Sequence, residues 1–562
     1  MQKNCKQCAA SFEVTDADLA FYEKISPVFN EQKESIPPPT LCPQCRLQRR
    51  LSFRNEHSLH HRTCSKSGKS IISMYPQDAP FPVYDNDEWW KDDWSGLTYG
   101  RDFDFGKSFT EQFIDLMRVV PKMARIQQQV NINSQYTNCA SNNKNCYLIF
   151  SSNGDEDCLY GSYVNLSKSC VDTCQIFRSE LLYDCVNCNG CYGSAYLQDC
   201  VQCIDSQFLK DCVSCKNCFA CVNLRNKEYH ILNEPHTKQE YEAKMREIRL
   251  SSASGVRMAA DIFRQFMLSQ PMREYEGVQN ESVSGNYISH CKNAYDCFDV
   301  DDLEDCRWCT NVQFMKDSYD VSFYGSTGAN ELLYECEGVG HGVHQVLFSK
   351  LTWGNSSEVL NCYECFSCKH CFGCTGLQKQ QYCIFNKQYT KDEYEALVPK
   401  IIEHMRKTDE WGEFFSAKVV PFGYNESVAS EHFPLSREEA TKGGWRWHEE
   451  ANTEQQYMGP DYVLPDDIAD ATDDIPTKIL LCEKTRKPYK IVPAELDFHK
   501  QMKVPLPRTC PDQRHKERAA IRNPQRLWER TCAKCGKGIK TSYAPDRPEI
   551  VYCEECYLTT VY

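Results

Sequence analysis

The sequence predicts a mainly β protein, in which a duplicated, cysteine-rich β-solenoid is flanked by two homologous small α+β modules. Three observations support this fold class. The chain of 562 residues contains 36 cysteines, many of them in C-x-x-C pairs. Its two ends repeat one another at an offset of 468 residues, and its middle contains a second repeat at an offset of 153 residues. Internal repeats define an architecture more strongly than local propensities do.

Composition narrows the class of protein and its expected location. The net charge is -14, and 41% of the residues are hydrophobic, as in a folded globular chain. The opening residues MQKNCKQCAA lack the apolar core of a signal peptide, and no apolar run is long enough to cross a bilayer. Cysteine pairs in a chain without a secretion signal favour metal ligation over disulfides. We therefore expect a cytoplasmic protein with no membrane partner.

The ends are two copies of one module, and each copy keeps a different half. Residues 37–89 align with the second copy without a gap, so that Cys42 corresponds to Cys510 and Cys64 corresponds to Cys532. The first copy keeps the upstream cysteine quartet, Cys5, Cys8, Cys42 and Cys45. The second copy keeps the downstream quartet, Cys532, Cys535, Cys553 and Cys556. The counterparts of these two quartets are incomplete: Cys482, Thr485, Cys510 and Gln513, and Cys64, Ser67, Asp85 and Glu88.

Two complete quartets predict two structural zinc sites. Four thiolates complete the tetrahedral shell of Zn²⁺ and leave no position for a substrate. A C-x-x-C pair places two sulfurs on one tight turn, and a second turn supplies the other pair. Modules this small cannot bury a sufficient core alone, so metal binding would supply much of their folding free energy. Packed free cysteines are the alternative, and the incomplete quartets predict no zinc at Cys64, Cys482 or Cys510.

The motifs at both ends carry a family resemblance. Residues 4–50 contain C-x-x-C, an aromatic residue, a helix-like segment with F-Y, and then C-P-x-C-R. This order resembles the probable zinc-ribbon, treble-clef-like domain of bacterial proteins. Residues 531–558, with CAKCGK, a D-R-P turn and YCEECY, resemble the second zinc-binding element that often follows it. The resemblance covers under a third of the chain and implies zinc. That family has no established biochemical activity, so the resemblance only suggests contact with nucleic acid or protein.

The central repeat predicts the β-solenoid. Residues 212–245 and 365–398 are identical at 17 of 34 positions. Short apolar pieces such as YLIF, LLYD and VSFY recur between polar residues, as expected for solenoid strands whose stacking forms the core. Each half contains a tetrad with cysteine at every third residue: Cys212, Cys215, Cys218 and Cys221, and Cys365, Cys368, Cys371 and Cys374. We favour inward packing of these side chains; further zinc, an iron–sulfur cluster and a catalytic dithiol are the alternatives.

Helices and connectors separate the repeats. Thr237 with Glu240, and Thr390 with Glu393, have the spacing of a capping box, which predicts a helix after each tetrad. The segment after residue 408 is rich in Asp and Pro and predicts an extended linker with little core. The expected order is an N-terminal zinc module (1–83), an aromatic connector (84–135), solenoid half 1 (136–235), a helical segment (236–284), solenoid half 2 (285–388), a helix plus extended acidic linker (389–480) and a C-terminal zinc module (481–562).

Basic residues in both modules suggest a nucleic-acid contact on an otherwise acidic protein. From Cys482 to Arg530 there are 13 Lys+Arg and 6 Asp+Glu, a local balance of +7. Such side chains can bind phosphates, and the alternative is that they are solvated or form local ion pairs. The candidate residues are Arg46, Arg49, Arg50, Arg514, Lys516, Arg518 and Arg522.

The sequence favours a non-enzymatic zinc-binding scaffold or interaction protein, with a protein or nucleic acid as its unidentified partner. It contains no nucleophile elbow, phosphate loop, HExxH motif or Rossmann fingerprint. No catalytic residue is therefore assigned, and an enzyme with a site hidden from sequence is one alternative. The cysteine count keeps a second alternative, a protein that handles metal or redox equivalents through thiols or an iron–sulfur cluster.

Overall fold

Two large, mostly parallel β-sheets form the middle of the protein, and a small cysteine module lies towards each end of the chain. The structure is a computed structural model that describes residues 1–325, 328–449, 459 and 461–561. The protein is mainly β, as predicted, and each terminal module holds one complete cysteine quartet. No helix in these described ranges is long and apolar enough to cross a membrane.

The strands of the first sheet pair at a constant step along the chain. Tyr147 lies opposite Leu159, and Ser162 lies opposite Cys174, so parallel neighbours are 12 residues apart. A residue in one strand therefore lies beside the residue 12 positions later in the neighbouring parallel strand. The last strand of this sheet is antiparallel. The strands are Thr137–Asn138, Tyr147–Phe150, Leu159–Asn165, Cys174–Phe177, Glu180–Tyr183, Val186–Asn189, Tyr192–Gln198, Gln207–Lys210, Phe219–Val222, His230–Ile231 and Glu234–Pro235.

The second sheet has the same parallel pairing with longer steps in its middle. Tyr319 lies opposite Tyr334, 15 residues later, whereas Tyr363 lies opposite Thr375, again 12 residues later. The strands are Gly277–Val278, Glu281–Ser289, Lys292–Arg307, Thr310–Tyr324, Asn330–Glu331, Tyr334–Glu337, His344–Leu347, Lys350–Trp353, Ser357–Leu360, Tyr363–Phe366, Lys369–Phe372, Thr375–Gln378, Gln381–Ile384 and Lys387–Gln388.

A three-residue backbone period underlies the 12-residue step. Asp211, Ser214 and Asn217 have φ of 48°, 52° and 49°, in the left-handed region, and each precedes a buried cysteine of the first tetrad. Asn and Asp enter this region at lower cost than other non-glycine residues. The recurrent Asp–Cys pairs of the sequence therefore mark the position where the chain bends and the following side chain turns inward.

The N-terminal module combines short antiparallel hairpins with two helices. Thr15 caps the first helix through a reciprocal capping box with Asp18. The helices are Asp16–Ile25 and Pro43–Leu51, and the strands are Gln2–Asn4, Ser11–Glu13, Val28–Phe29, Gln32–Lys33, His60–Thr63 and Ser70–Ser73.

The C-terminal module has a corresponding set of elements. Its strand Ile550–Tyr552 also pairs in parallel with Pro271–Arg273, which precedes the second sheet. The helices are Pro493–Met502, Pro511–Ile521 and Glu554–Val561, and the strands are Leu480–Leu481, Pro488–Tyr489, Trp528–Thr531, Gly538–Thr541 and Ile550–Tyr552.

One helix of the N-terminal module docks on the second sheet through a shared aspartate. Arg46 and Arg50, on the helix Pro43–Leu51, bind the two oxygens of Asp320 at 2.8 and 2.9 Å. All three side chains are buried, and the Arg46 guanidinium also lies 4.6 Å from the ring centroid of Trp308. We call this set the N clamp.

The C-terminal module docks on the first sheet in a corresponding way. Arg514 and Arg518, on the helix Pro511–Ile521, both bind Asp172, the latter at 2.8 Å. The Arg514 guanidinium lies 4.4 Å from the ring centroid of Tyr160. We call this set the C clamp. Each module therefore docks on the sheet that is more distant from it along the chain.

The aromatic connector packs on the second sheet. The Trp89 ring lies 5.5 Å from that of Phe366, and Lys122 donates a hydrogen bond of 2.7 Å to Thr375. Its elements are the strands Val83–Tyr84 and Lys122–Met123, the helices Asn86–Trp89 and Phe109–Met117, and the 3₁₀ helix Gly96–Tyr99.

The segments that follow the tetrads are helical, and both predicted capping boxes, at Thr237 and Thr390, are present. The helices are Lys238–Ile248, Ala253–Leu268 and Lys391–Lys407.

The expectation of an extended linker with little core is wrong for residues 411–445. Trp411, Phe415 and Tyr424 are buried in the largest apolar cluster, which also contains Phe53 of the N-terminal module. Aromatic residues spaced through a segment rich in polar residues carry this core, and the short helices Ala429–His432 and Arg437–Lys442 follow within it. Residues 450–458 and 460 of the predicted linker lie outside the described residues.

The clamps predict that a single carboxamide substitution separates a module from its sheet. Asp172→Asn would leave Arg518 buried without a carboxylate and Arg514 with Glu495 alone, at a cost of about 3–5 kcal/mol. Glu156→Gln is the control, because the ion pair of Glu156 with Lys144 is exposed and screened by solvent, so its loss should change the stability little. Urea denaturation measures both; equal losses of stability would contradict the role of the clamp.

A buried histidine predicts a pH dependence. His499, on the helix Pro493–Met502, is fully buried with its ring 4.7 Å from that of Tyr183 in the first sheet. Burial, only partly offset by Asp172, lowers the pKa of His499 to about 4. Below a pH of about 6.5, His499 takes up a proton in the unfolded chain but stays neutral in the folded chain until the pH reaches about 4. Within this range, each unit by which the pH is lowered reduces the free energy of unfolding by up to about 1.4 kcal/mol.

His499→Phe should remove this contribution. We expect the urea midpoints of the variant and the natural chain to diverge between pH 7 and pH 4.5, with the natural chain losing more. A difference that stays constant across this range would contradict the burial of a neutral imidazole.

Candidate metal centres

The N-terminal quartet brings a tight turn and a helix start together. The Cys5 carbonyl accepts a hydrogen bond of 3.0 Å from the Ala9 N–H, which closes a turn with Ala9 at φ 60°. Cys42 caps the helix Pro43–Leu51, and Cys45 lies in its first turn. The four Sγ atoms of Cys5, Cys8, Cys42 and Cys45 all lie within 4.8 Å of one another.

The C-terminal quartet has the same construction. The Gly536 N–H donates 2.9 Å to the Cys532 carbonyl, and Gly536 has φ +76°. Cys553 directly precedes the helix Glu554–Val561, whose first turn carries Cys556. The four Sγ atoms of Cys532, Cys535, Cys553 and Cys556 also lie within 4.8 Å of one another.

The sulfur spacing fits a tetrahedral ion. With a Zn–S bond of about 2.3 Å, two sulfurs of a tetrahedron are about 3.8 Å apart. Cys8 Sγ and Cys42 Sγ are 3.7 Å apart, and Cys535 Sγ and Cys553 Sγ are 3.8 Å apart. Both quartets can therefore take an ion such as Zn²⁺ with little movement, as the donor set of four thiolates favours.

The surroundings of the quartets support thiolates. A hydrogen bond from the Cys45 thiol lowers the pKa of Cys42 to about 5, although burial opposes this shift. Burial raises the pKa of Cys532, but backbone N–H groups, including those of Cys553 and Cys535, outweigh it and bring this pKa to about 6. A thiolate is the form that ligates a metal, so Cys42 and Cys532 are prepared for that role, whereas the hydrogen bond with Cys42 raises the pKa of Cys45.

The incomplete quartets keep the same turns without the ligands. The Cys64 carbonyl accepts from the Gly68 N–H, and the Cys482 carbonyl accepts from the Arg486 N–H, as in the complete sites. Ser67 and Asp85 donate backbone N–H groups to Cys64 Sγ at 3.4 and 3.3 Å. Among the described residues, neither Cys64 nor Cys482 nor Cys510 belongs to a group of metal-ligating side chains.

The cysteines of the central tetrads are buried in the apolar clusters of the two large sheets. Cys212 Sγ donates to the carbonyls of Lys210 at 3.4 Å and Cys221 at 3.6 Å, and other inward thiols repeat this pattern. In the part of the chain that the structure describes, neither tetrad gathers three sulfurs within 4.8 Å. Inward packing is the interpretation that this geometry supports. All eight cysteines are buried: Cys212, Cys215, Cys218, Cys221, Cys365, Cys368, Cys371 and Cys374.

The predicted nucleic-acid residues are engaged within the protein. Arg46, Arg50, Arg514 and Arg518 form the two clamps described above. Arg49 binds Glu335 at 2.8 Å, and Arg522 binds Asp299. Burial of these guanidiniums among carboxylates contradicts their prediction as phosphate contacts, since a polyanion cannot reach them. Lys516 alone among the seven candidates is exposed.

Two mixed groups of histidine and glutamate escaped the sequence analysis. They are His57, Glu431 and His515, and His60, Glu426 and His448, each with its ligand atoms within 4.8 Å. In each group one histidine lies more than 360 residues before the glutamate, so no local motif marks them.

Comparisons with known proteins add little to this geometry. No family model and no curated protein matches the chain. Among solved structures it is similar to a crystal structure described as a "putative acetyltransferase" from Desulfovibrio desulfuricans G20, at 10% identity and a TM-score of 0.09. The match covers 43% of this chain and 64% of that one. Similarity at this level carries no argument, and the zinc-ribbon resemblance is supported by the two cysteine quartets alone.

The quartets predict two zinc ions for each chain. Cys8→Ser should reduce the zinc content from two ions to one, because three thiolates no longer close the N-terminal shell. Cys64→Ser is the matched control: it alters a cysteine of the incomplete quartet and should leave two ions. Elemental analysis of the full chain measures both. An ion lost from Cys64→Ser, or two ions retained in Cys8→Ser, would show that the ligands are misassigned.

Proposed function

We propose that the protein is a non-enzymatic, zinc-stabilised scaffold that presents a duplicated β-solenoid to a partner protein. One observation carries this proposal: both complete quartets are all-cysteine sets in modules that dock on the parallel sheets through buried clamps. An ion with four thiolates has no open position, so it stabilises a fold and does not react. Solenoids in turn present long surfaces to partners.

The pairing of the sheets supports the solenoid. A 12-residue step with an inward side chain at every third residue gives four inward positions for each step, and one cysteine tetrad fills one step. In such a coil no single turn buries its own apolar face, so stacking supplies the core. Cysteine, serine and alanine are small enough for these inward columns.

Matching contacts support the duplication. Asp172 and Asp320, the clamp aspartates, are 148 residues apart, as are Tyr160 and Trp308, the rings beneath Arg514 and Arg46. In the second sheet, three successive strand pairings are 15, 13 and 13 residues apart, where the regular spacing is 12. These three pairings therefore contain five extra residues in total. The five extra residues account for the difference between the offset of 148 residues for the clamp contacts and the offset of 153 residues for the tetrads.

A second contact of each terminal module also matches between the two copies. Arg54 donates to Ser151 at 2.9 Å, and its counterpart Arg522 binds Asp299, which is 148 residues after Ser151. The N-terminal module thus meets half 2 through its clamp and half 1 through Arg54, and the C-terminal module does the reverse. We infer that each module bridges both halves and holds them in one arrangement.

Cobalt substitution tests the closed zinc shells. In the full chain with Co²⁺ in both quartets, we expect the thiolate-to-cobalt charge-transfer absorbance to be unchanged by azide, because four sulfurs already surround each ion. Removal of the metal should lower the thermal midpoint, because the sites supply folding free energy. A charge-transfer band that shifts with azide would favour metal handling instead, and an unchanged midpoint would contradict a structural role.

Oligonucleotide binding tests the nucleic-acid alternative. Since six of the seven basic candidates are engaged within the protein, we expect no affinity that weakens with salt for single- or double-stranded oligonucleotides. A salt-dependent affinity that Lys516→Ala reduces would favour that alternative over a protein partner.

A further inference from the structure

A histidine pair and a carboxylate meet where the two modules touch. His57 follows the N-terminal module's Arg54, His515 lies on the helix Pro511–Ile521, and Glu431 lies on the short helix Ala429–His432. Glu431 Oε1 is 4.0 Å from His57 Nε2, and Glu431 Oε2 is 3.4 Å from His515 Nε2. The two imidazole centroids are 4.0 Å apart. The side chains are 20–35% exposed, so an ion can reach them.

Contacts outside the group hold each of the three segments in place. The Val428 N–H donates 2.8 Å to the Arg54 carbonyl, which ties the glutamate segment to the N-terminal module. The His57 ring packs edge-on against Phe150 at 4.4 Å. The C clamp fixes the helix that carries His515. The three ligand atoms therefore converge before any ion binds, which lowers the cost of assembling a site.

The proposed duplication does not account for this convergence. At the offset of 468 residues, His57 corresponds to Gln525 and His515 corresponds to Leu47. The clamp residues, by contrast, have basic counterparts in both modules. Neither the docking of the modules nor the zinc quartets requires two imidazoles in contact, and two protonated imidazoles at this distance would repel one another.

The donor set differs in chemistry from the cysteine quartets. Two imidazoles and a carboxylate bind first-row divalent metals such as zinc, iron and cobalt. At metal–nitrogen bonds of about 2.1 Å, ligand atoms of a tetrahedral site are about 3.4 Å apart. Here one oxygen of Glu431 and one nitrogen of each histidine lie within 4.8 Å of one another, so small side-chain rotations bring the ligand atoms to this spacing. Three protein ligands also leave at least one position open.

Glu56 and the second mixed group help to define the site. Glu56 Oε2 lies 3.8 Å from His57 Nε2, but Glu56 already binds Arg54 and accepts from Tyr163 at 3.1 Å. In the second group, Glu426 already accepts from the Gly423 N–H, outside the group, at 2.8 Å. Glu431 has no competing contact of this kind among those described here, and its two oxygens face the two histidines.

We propose that His57, Glu431 and His515 form a third metal site, which binds one divalent transition-metal ion and keeps a coordination position open for a small ligand. This site bridges the N-terminal module, the C-terminal module and the segment between them. It is distinct from the closed zinc shells and does not depend on the scaffold role.

Cobalt titration of the zinc-loaded full chain tests the site. With only two equivalents of zinc restored to the metal-free chain, so that zinc fills the four-thiolate quartets and the mixed site stays free, we expect one further equivalent of Co²⁺ to bind, with visible d–d absorbance and no thiolate charge-transfer band. Azide should shift this absorbance, because a position is open. Glu431→Gln and His515→Ala should weaken Co²⁺ binding at least about 10-fold while keeping two zinc ions and the natural thermal midpoint.

His60→Ala is the matched control, because it alters the neighbouring group and should leave the third ion bound. The proposal is overturned if no third equivalent binds, if Glu431→Gln binds Co²⁺ like the natural chain, or if His60→Ala removes the ion instead. A third ion lost only together with a zinc ion would also overturn it. The zinc content of each variant separates these outcomes from failure of the closed quartets.

Discussion

Two buried aspartates, each held by two arginines, are the contacts on which the arrangement of the modules depends. A carboxylate and a guanidinium are tolerated in a buried site only when both are present and well oriented. In the N clamp, Arg46 directly follows Cys45, so the helix start that carries two cysteines of the N-terminal quartet also aims the arginine at Asp320. The quartet and the clamp therefore share one short helix, and the geometry of the helix start affects both.

The parts of this structure that could be predicted from sequence are those with short-range signals. C-x-x-C pairs in register located both quartets, and capping-box spacing located the helices after Thr237 and Thr390. The role of the arginines could not be read in this way, because Arg46 and Asp320 are separated by 274 residues. A local excess of basic residues looked like a phosphate surface only because the neutralising carboxylates lie far away along the chain. The mixed histidine–glutamate groups stayed hidden for the same reason.

The tetrads show why a cysteine-rich pattern need not mean metal. A metal site needs sulfurs that converge on one point, whereas among the described residues no three sulfurs of either tetrad lie within 4.8 Å of one another. Each thiol donates weakly to two backbone carbonyls, one two residues earlier and one nine residues later, as at Cys212 with Lys210 and Cys221. Cysteine fits such a column because it is small, apolar and carries a weak donor. The spacing of one cysteine in every three residues was the signal in the sequence that favoured this interpretation.

The loss of one quartet from each module is compatible with this construction. In the C-terminal module the clamp helix begins at Cys510 but carries Gln513 in place of a fourth ligand, so no ion can fix its start. There, Glu495 of the same module binds Arg514 at 2.9 Å and accepts from Tyr160 at 2.8 Å. An internal ion pair thus orients Arg514, whereas the corresponding Arg46 lies on a helix that begins at a complete cysteine quartet. Because Glu495 performs this task, the C clamp stays in place although the upstream quartet of its module is incomplete.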